Sequence, residues 1–177
     1  MQKGLATLEI IFAVMIIAVL TNVAVPNAAR IIDRAALDYE TKRLYSELRF
    51  VQTMSRSNTI KETGMGKIKI VTDLDNTRKF TLSVDSLRNN YQVFRGIDKY
   101  KKALREPHYL SNGMTIKFRE NATSINISFD NAGKVEINSN ENSSNKEFTL
   151  HLISRLKKEN CIIFDTVGRI SVVFTTG

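Results

Sequence analysis

The chain has 177 residues, with 26 Lys and Arg against 18 Asp and Glu and a formal net charge of +8. That length suits one domain with an appendage, and the basic balance favours anionic partners such as lipid headgroups or nucleic acid without specifying a fold. A single cysteine, Cys161, excludes an intramolecular disulfide. Mean hydropathy is slightly negative although the N-terminus is intensely apolar, so the remainder is polar enough to sit in water.

Met1-Gln2-Lys3-Gly4 leads directly into LATLEIIFAVMIIAVLTNVAV, from Leu5 to Val25. About 20 apolar residues span a bilayer core, so this run reads as a membrane-inserted helix. A secretory signal has a shorter apolar core followed by a small-residue cleavage site. No convincing A-x-A site follows here, and the helical pattern continues past Pro26. The apolar segment is therefore expected to be retained, with any processing on its N-terminal side. Glu9 is the only charged residue in the run. A carboxylate in hydrocarbon is costly unless it is paired, protonated or facing protein, which marks it as functional. Cleavage after Gly4 would leave an α-amine on Leu5, one helical turn before Glu9. That i, i+4 spacing lets amine and carboxylate approach within one subunit or across to a neighbour.

Together, Lys3, Gly4, Glu9, the apolar run and Pro26 resemble the class III signal of type IV prepilins and type II secretion pseudopilins. The resemblance implies cleavage of the Gly4–Leu5 bond by a membrane prepilin peptidase and N-methylation of Leu5. It also implies that Glu9 neutralises a neighbouring subunit's terminal amine during assembly and that Pro26 marks a helix kink; no motif in the sequence calls for a cofactor. Other pilin or pseudopilin subunits and the inner or cytoplasmic membrane become the expected partners, with the head outside the cytoplasm. The chain departs from the common pattern in having Leu5 where the family usually has phenylalanine, followed by Ala6-Thr7.

From Asn27 to Ser57 no glycine or proline stops the helix. Pro26 removes one backbone hydrogen bond, so a bend or a locally melted turn is expected there. Leu37, Leu44, Leu48 and Val51 fall on one narrow arc at helical spacing, and Ile32, Tyr39 and Phe50 fall on roughly the opposite side. The first stripe is expected to pack on the chain's own head, leaving the second for neighbouring helices. Arg30 and Arg34 sit just past the apolar run, at the level of lipid headgroups.

From about Lys67 the period shortens to two. Strands are expected at Lys67–Val71, Lys79–Val84, Tyr91–Phe94, Thr115–Phe118, Ser124–Phe129, Lys134–Ile137, Phe148–Ile153, Cys161–Asp165 and Ile170–Phe174, separated by Asn, Asp, Ser and Gly turns. The predicted class is α+β: a long N-terminal helix packed against an antiparallel β-rich head. The expected divisions are a leader at 1–4, a transmembrane and assembly helix at 5–25, its amphipathic continuation at 26–58 and the head at 59–177. Three blocks, Leu110–Ile116, Phe129–Gly133 and Ile163–Val172, resemble those of the GspH/FimT group of minor pilins, which implies a β-rich fold resting on the N-terminal helix.

Signals for catalysis are absent. His108 and His151 lie in no metal-ligand spacing, and there is no nucleophile elbow, phosphate-binding glycine loop or Cys/His cluster. Asp73, Asp75 and Asn76 read as a turn, because the glycine and distal glutamate of an EF-hand are missing. Cys161, beside Ile162, Ile163 and Phe164, reads as a small buried hydrophobe. His108 is expected in a loop after Pro107. The sequons at Asn121, Asn126 and Asn142 receive no role. The basic cluster Lys99, Tyr100, Lys101, Lys102 and Arg105 is the best candidate for an anion or DNA surface, since phosphates need Lys and Arg and Tyr100 offers a stacking face. Some FimT-type pilins bind DNA, so DNA is a possible but not the favoured partner. A non-enzymatic minor pilin or pseudopilin is the expected function.

Overall fold

A computed structural model describes residues 2–57, 60–63, 67–70, 79–96, 101–111, 113–118, 122–139, 148–165 and 167–175. Lys99, Tyr100, the Asp73–Asn76 turn and the sequon asparagines Asn121 and Asn142 lie outside the described residues.

One helix, α1, runs from Gln2 to Ser57. Pro26 lies inside it, and the helical backbone continues on both sides, so no melted turn forms there. Its C-terminal half carries a narrow apolar stripe, and that stripe is where the head packs. Leu37, Leu44, Leu48 and Val51 are all at most 1% exposed. The second stripe behaves differently: Ile32 and Tyr39 face outward, while Phe50 is half-buried against the core edge.

Twelve strands follow among the described residues. A small antiparallel hairpin joins β1 (Ile60–Thr63) to β2 (Lys67–Ile70). The larger sheet has the order β5-β4-β3-β8-β9, built from β3 (Phe80–Asp85), β4 (Asn90–Arg95), β5 (Lys102–Ala103), β8 (Ser124–Phe129) and β9 (Val135–Ser139). Along it, β6 (His108–Tyr109) also pairs with β4. The second sheet has the order β12-β11-β10-β7, from β7 (Thr115–Phe118), β10 (Phe148–Ile153), β11 (Glu159–Phe164) and β12 (Ile170–Phe174). Every described pairing is antiparallel. The fold is thus α+β, one long N-terminal helix against antiparallel sheets.

Strict alternation explains the core. On β10 and β11 every second residue is buried, so Leu150, Leu152, Ile162 and Phe164 are fully enclosed while their neighbours face out. Leu82, Val84, Ile125, Ile127 and Phe129 do the same from the larger sheet, and both sets meet the α1 stripe in one cluster.

Two expectations change. Cys161 is half-exposed rather than buried, because its apolar neighbours Ile162 and Phe164 take the inward positions of a period-two strand. His108 lies in strand β6, not a loop, since Pro107 precedes a two-residue pairing with Asn90 and Tyr91. Lys102, of the basic cluster, lies at the sheet edge in β5, opposite Arg95.

Candidate assembly and membrane interface

Burial on α1 begins only near Leu37. Leu8 through Val25 stand exposed, each large apolar side chain of the run at 54% or more. At 1.5 Å per residue the helix between Leu8 and Leu37 extends roughly 40 Å, longer than the 30 Å of a bilayer core. Glu9 is an exposed residue within this apolar stretch, and Gly4 and Leu5 lie in the opening turns of the same helix. Leu5 and Glu9 therefore stand one helical turn apart along α1.

Where the helix meets the head, Arg30, Ile31, Asp33 and Arg34 line a cavity of about 600 Å³ together with Leu156 and Lys158. The latter two come from the tip of the β10–β11 hairpin, where Arg155, Leu156, Lys157 and Lys158 are all exposed. Lys157 takes a left-handed backbone (φ 61°) to close that turn. Basic side chains from two distant parts of the sequence thus gather one or two helical turns beyond the apolar run.

The head is fastened to α1 by buried polar contacts that the apolar stripe does not reveal. Gln52 Nε2 donates to Gly168 O (2.7 Å) and Gly133 O (3.0 Å), while its Oε1 accepts from Arg49 (2.9 Å). Those two glycines close matching turns, Asp130–Gly133 and Asp165–Gly168, each with its Gly N–H donating to the Asp carbonyl. Asn160 donates to Asp38 Oδ1 (2.9 Å) and to Thr41 Oγ1 (3.1 Å). Glu40, 3% exposed, accepts from Ser111 Oγ (2.7 Å) and pairs with His108 Nε2 at 2.8 Å. Burial beside that pair pushes the Tyr91 phenol well above its ordinary range. Polar residues inside a helix were legible only as interruptions of the apolar pattern.

Of the basic cluster, the described members are largely engaged within the chain. Arg105 pairs with Glu47 and lies over the Phe50 ring at 4.8 Å. Lys101 donates to Asn126 Oδ1 (3.2 Å) and covers the Phe94 ring at 4.0 Å. Lys102 is exposed on the edge of the larger sheet.

His151, remote from His108, has company that spacing alone did not reveal. The register sets it directly opposite Cys161. Its Nδ1 is hydrogen-bonded to Glu159 Oε1, and Cys161 Sγ lies 3.4 Å from each of those atoms. The hydrogen bond from His151 holds the Glu159 carboxyl below its ordinary value, and burial with the adjacent Glu159 pushes the Cys161 thiol up to about 11.

A long helix, bare over its apolar run from Leu8 to Val25 and packed through its second half against antiparallel sheets, is the type IV pilin and pseudopilin fold. The structure is similar to that of the minor pseudopilin EpsH from the type 2 secretion system of Vibrio cholerae, with a TM-score of 0.54 and 10% sequence identity over 78% of this chain and 97% of that one. It is also similar to the type IV minor pilin FimU of Pseudomonas aeruginosa strain PAO1, with a TM-score of 0.50 and 12% identity over 81% and 92% of the two chains. No family profile matches the sequence, and no curated protein matches it.

Proposed function

We propose that this chain is a structural, non-enzymatic subunit of a type IV pilus-like filament, a minor pilin or pseudopilin held in the membrane before assembly. The observation that carries this reading is the bare apolar half of α1, projecting from a head of pilin fold. Before assembly, hydrocarbon covers that surface, with Arg30, Arg34 and Lys158 at the headgroups and the head outside the cytoplasm. A prepilin peptidase removes residues 1–4 and leaves Leu5 as the first residue, the site of N-methylation. In the filament, neighbouring helices replace lipid around Leu8–Val25 and bury Glu9. A buried carboxylate needs an opposite charge, and the new α-amine of an adjacent subunit's Leu5 supplies it. A bend at Pro26 lets the bare half follow the bundle while the packed half stays with the head.

Changing Glu9 to Ala should leave membrane insertion and head folding intact but strongly reduce incorporation into filaments, read by shearing and immunoblot in a reconstituted assembly system. Wild-type incorporation of Glu9→Ala would remove the proposed pairing. Gly4→Leu should block processing; a shortened product from that variant would count against the Gly4–Leu5 site. DNA uptake is the second reading from sequence. No described contact favours it, since Arg105 is already held by Glu47. A salt-sensitive gel shift lost on changing Lys99, Lys101 and Lys102 to Glu would support it.

A further inference from the structure

His151, Glu159 and Cys161 share the outward face of the β10–β11 pair. His151 stands directly across from Cys161, and Glu159 is two residues before Cys161 on the same strand. Each is half-buried, and one metal-ligating atom from each lies within 4.8 Å of the others. We propose that these three side chains form a site for a borderline-soft divalent first-row metal ion, best represented by zinc, with water as a fourth ligand.

The donor set selects the ion. One thiolate, one imidazole and one carboxylate suit zinc or cobalt, whereas calcium and magnesium take oxygen ligands almost alone. The spacing also fits. Around a tetrahedral zinc, with sulfur at about 2.3 Å and nitrogen or oxygen at about 2.0–2.1 Å, sulfur sits roughly 3.5 Å from the other donors. Cys161 Sγ is 3.4 Å from both His151 Nδ1 and Glu159 Oε1. The third edge, between His151 and Glu159, is closed by a hydrogen bond that the ion replaces. On binding, the imidazole presents its Nδ1 lone pair as the Nε2–H tautomer, and the thiol releases its proton to water. Thiolate and carboxylate then balance the two charges of the ion. Lys117 stands opposite His151 on β7 and adds one positive charge nearby.

The site lies at the neck of the hairpin: Ile153 and Glu159 form the last strand pair before the turn at Ser154–Lys158. An ion there clamps the arms of the hairpin whose tip lines the cavity beside Arg30.

The test is a cobalt(II) titration of the full chain in detergent micelles. The expected result is one ion per chain, with the visible bands of a tetrahedral ion and a near-ultraviolet thiolate-to-cobalt charge-transfer band, both displaced by zinc. Cys161 is the only cysteine, so the charge-transfer band reports it alone. That band should vanish in Cys161→Ser, and affinity should fall at least about tenfold in His151→Gln and separately in Glu159→Gln, since even outer-shell losses cost that much. Absence of the band in the native chain would overturn the proposal. So would unchanged affinity in His151→Gln and Glu159→Gln, or one ion shared by two chains, because the thiol would then bind adventitiously.

Discussion

At Gln52 one amide reaches the carbonyls of Gly133 and Gly168, and so ties two turns of the head to the middle of α1. Both glycines have φ near 85°, a region that side chains with a Cβ rarely adopt. At Gly168 the packing is as restrictive as the backbone, since a Cβ there would sit 1.9 Å from Gly133 O. Gly168→Ala should therefore cost about 3 kcal/mol or more, a strained backbone and a steric clash acting together. Gln52→Leu strands two buried carbonyls and should cost about 2 kcal/mol or more. Thermal melts of the full chain in micelles, read by far-ultraviolet circular dichroism, check both. A change of under 1 °C in either variant would show that the turns do not depend on this clasp. The glycines were visible in the sequence as turn markers, in blocks resembling those of minor pilins. Their partner was not, because nothing in the pattern around Gln52 states which distant carbonyls its amide will meet.

Helix α1 works as an element with three surfaces. Leu37, Leu44, Leu48 and Val51 face the sheets, Ile32 and Tyr39 face away, and the apolar residues from Leu8 to Val25 stand exposed. Leu44→Ala empties a fully enclosed position and should cost about 2–5 kcal/mol by loss of burial and creation of a cavity. Ile32→Asp, on the open face, should change stability by less than about 0.5 kcal/mol yet reduce filament incorporation. Melting temperature and incorporation measured side by side separate the two surfaces. Equal destabilisation by both changes would mean that the open face also serves the folded chain. The helix and its inward stripe were legible because a 3.6-residue period over many turns is a strong signal. The strands of alternating pattern were legible for the same reason. β1, with one apolar residue in Ile60–Thr63, and the two-residue β5 and β6 carry too little pattern to be read. The trio at His151 was hidden for a further reason, since register between strands, not spacing along one, brings its members together.

In the proposed function α1 is a membrane anchor first and a filament core later, with the hairpin tip at the lipid surface. The chain contains no tryptophan, so Leu156→Trp installs a unique reporter beside Arg30 and Lys158. In nanodiscs its emission should shift to the blue when anionic lipid replaces zwitterionic lipid, and Arg30→Glu with Lys158→Glu should abolish that shift. An emission maximum independent of lipid charge would place the tip away from the headgroups. The central claim, that this is a peptidase-processed filament subunit, is tested most directly by intact mass and N-terminal sequencing after expression with and without a prepilin peptidase. The expected result is a terminus at Leu5 only when the peptidase is present, with one added methyl mass where methylation follows. A chain still beginning at Met1, under conditions where a control prepilin is cut, would contradict it.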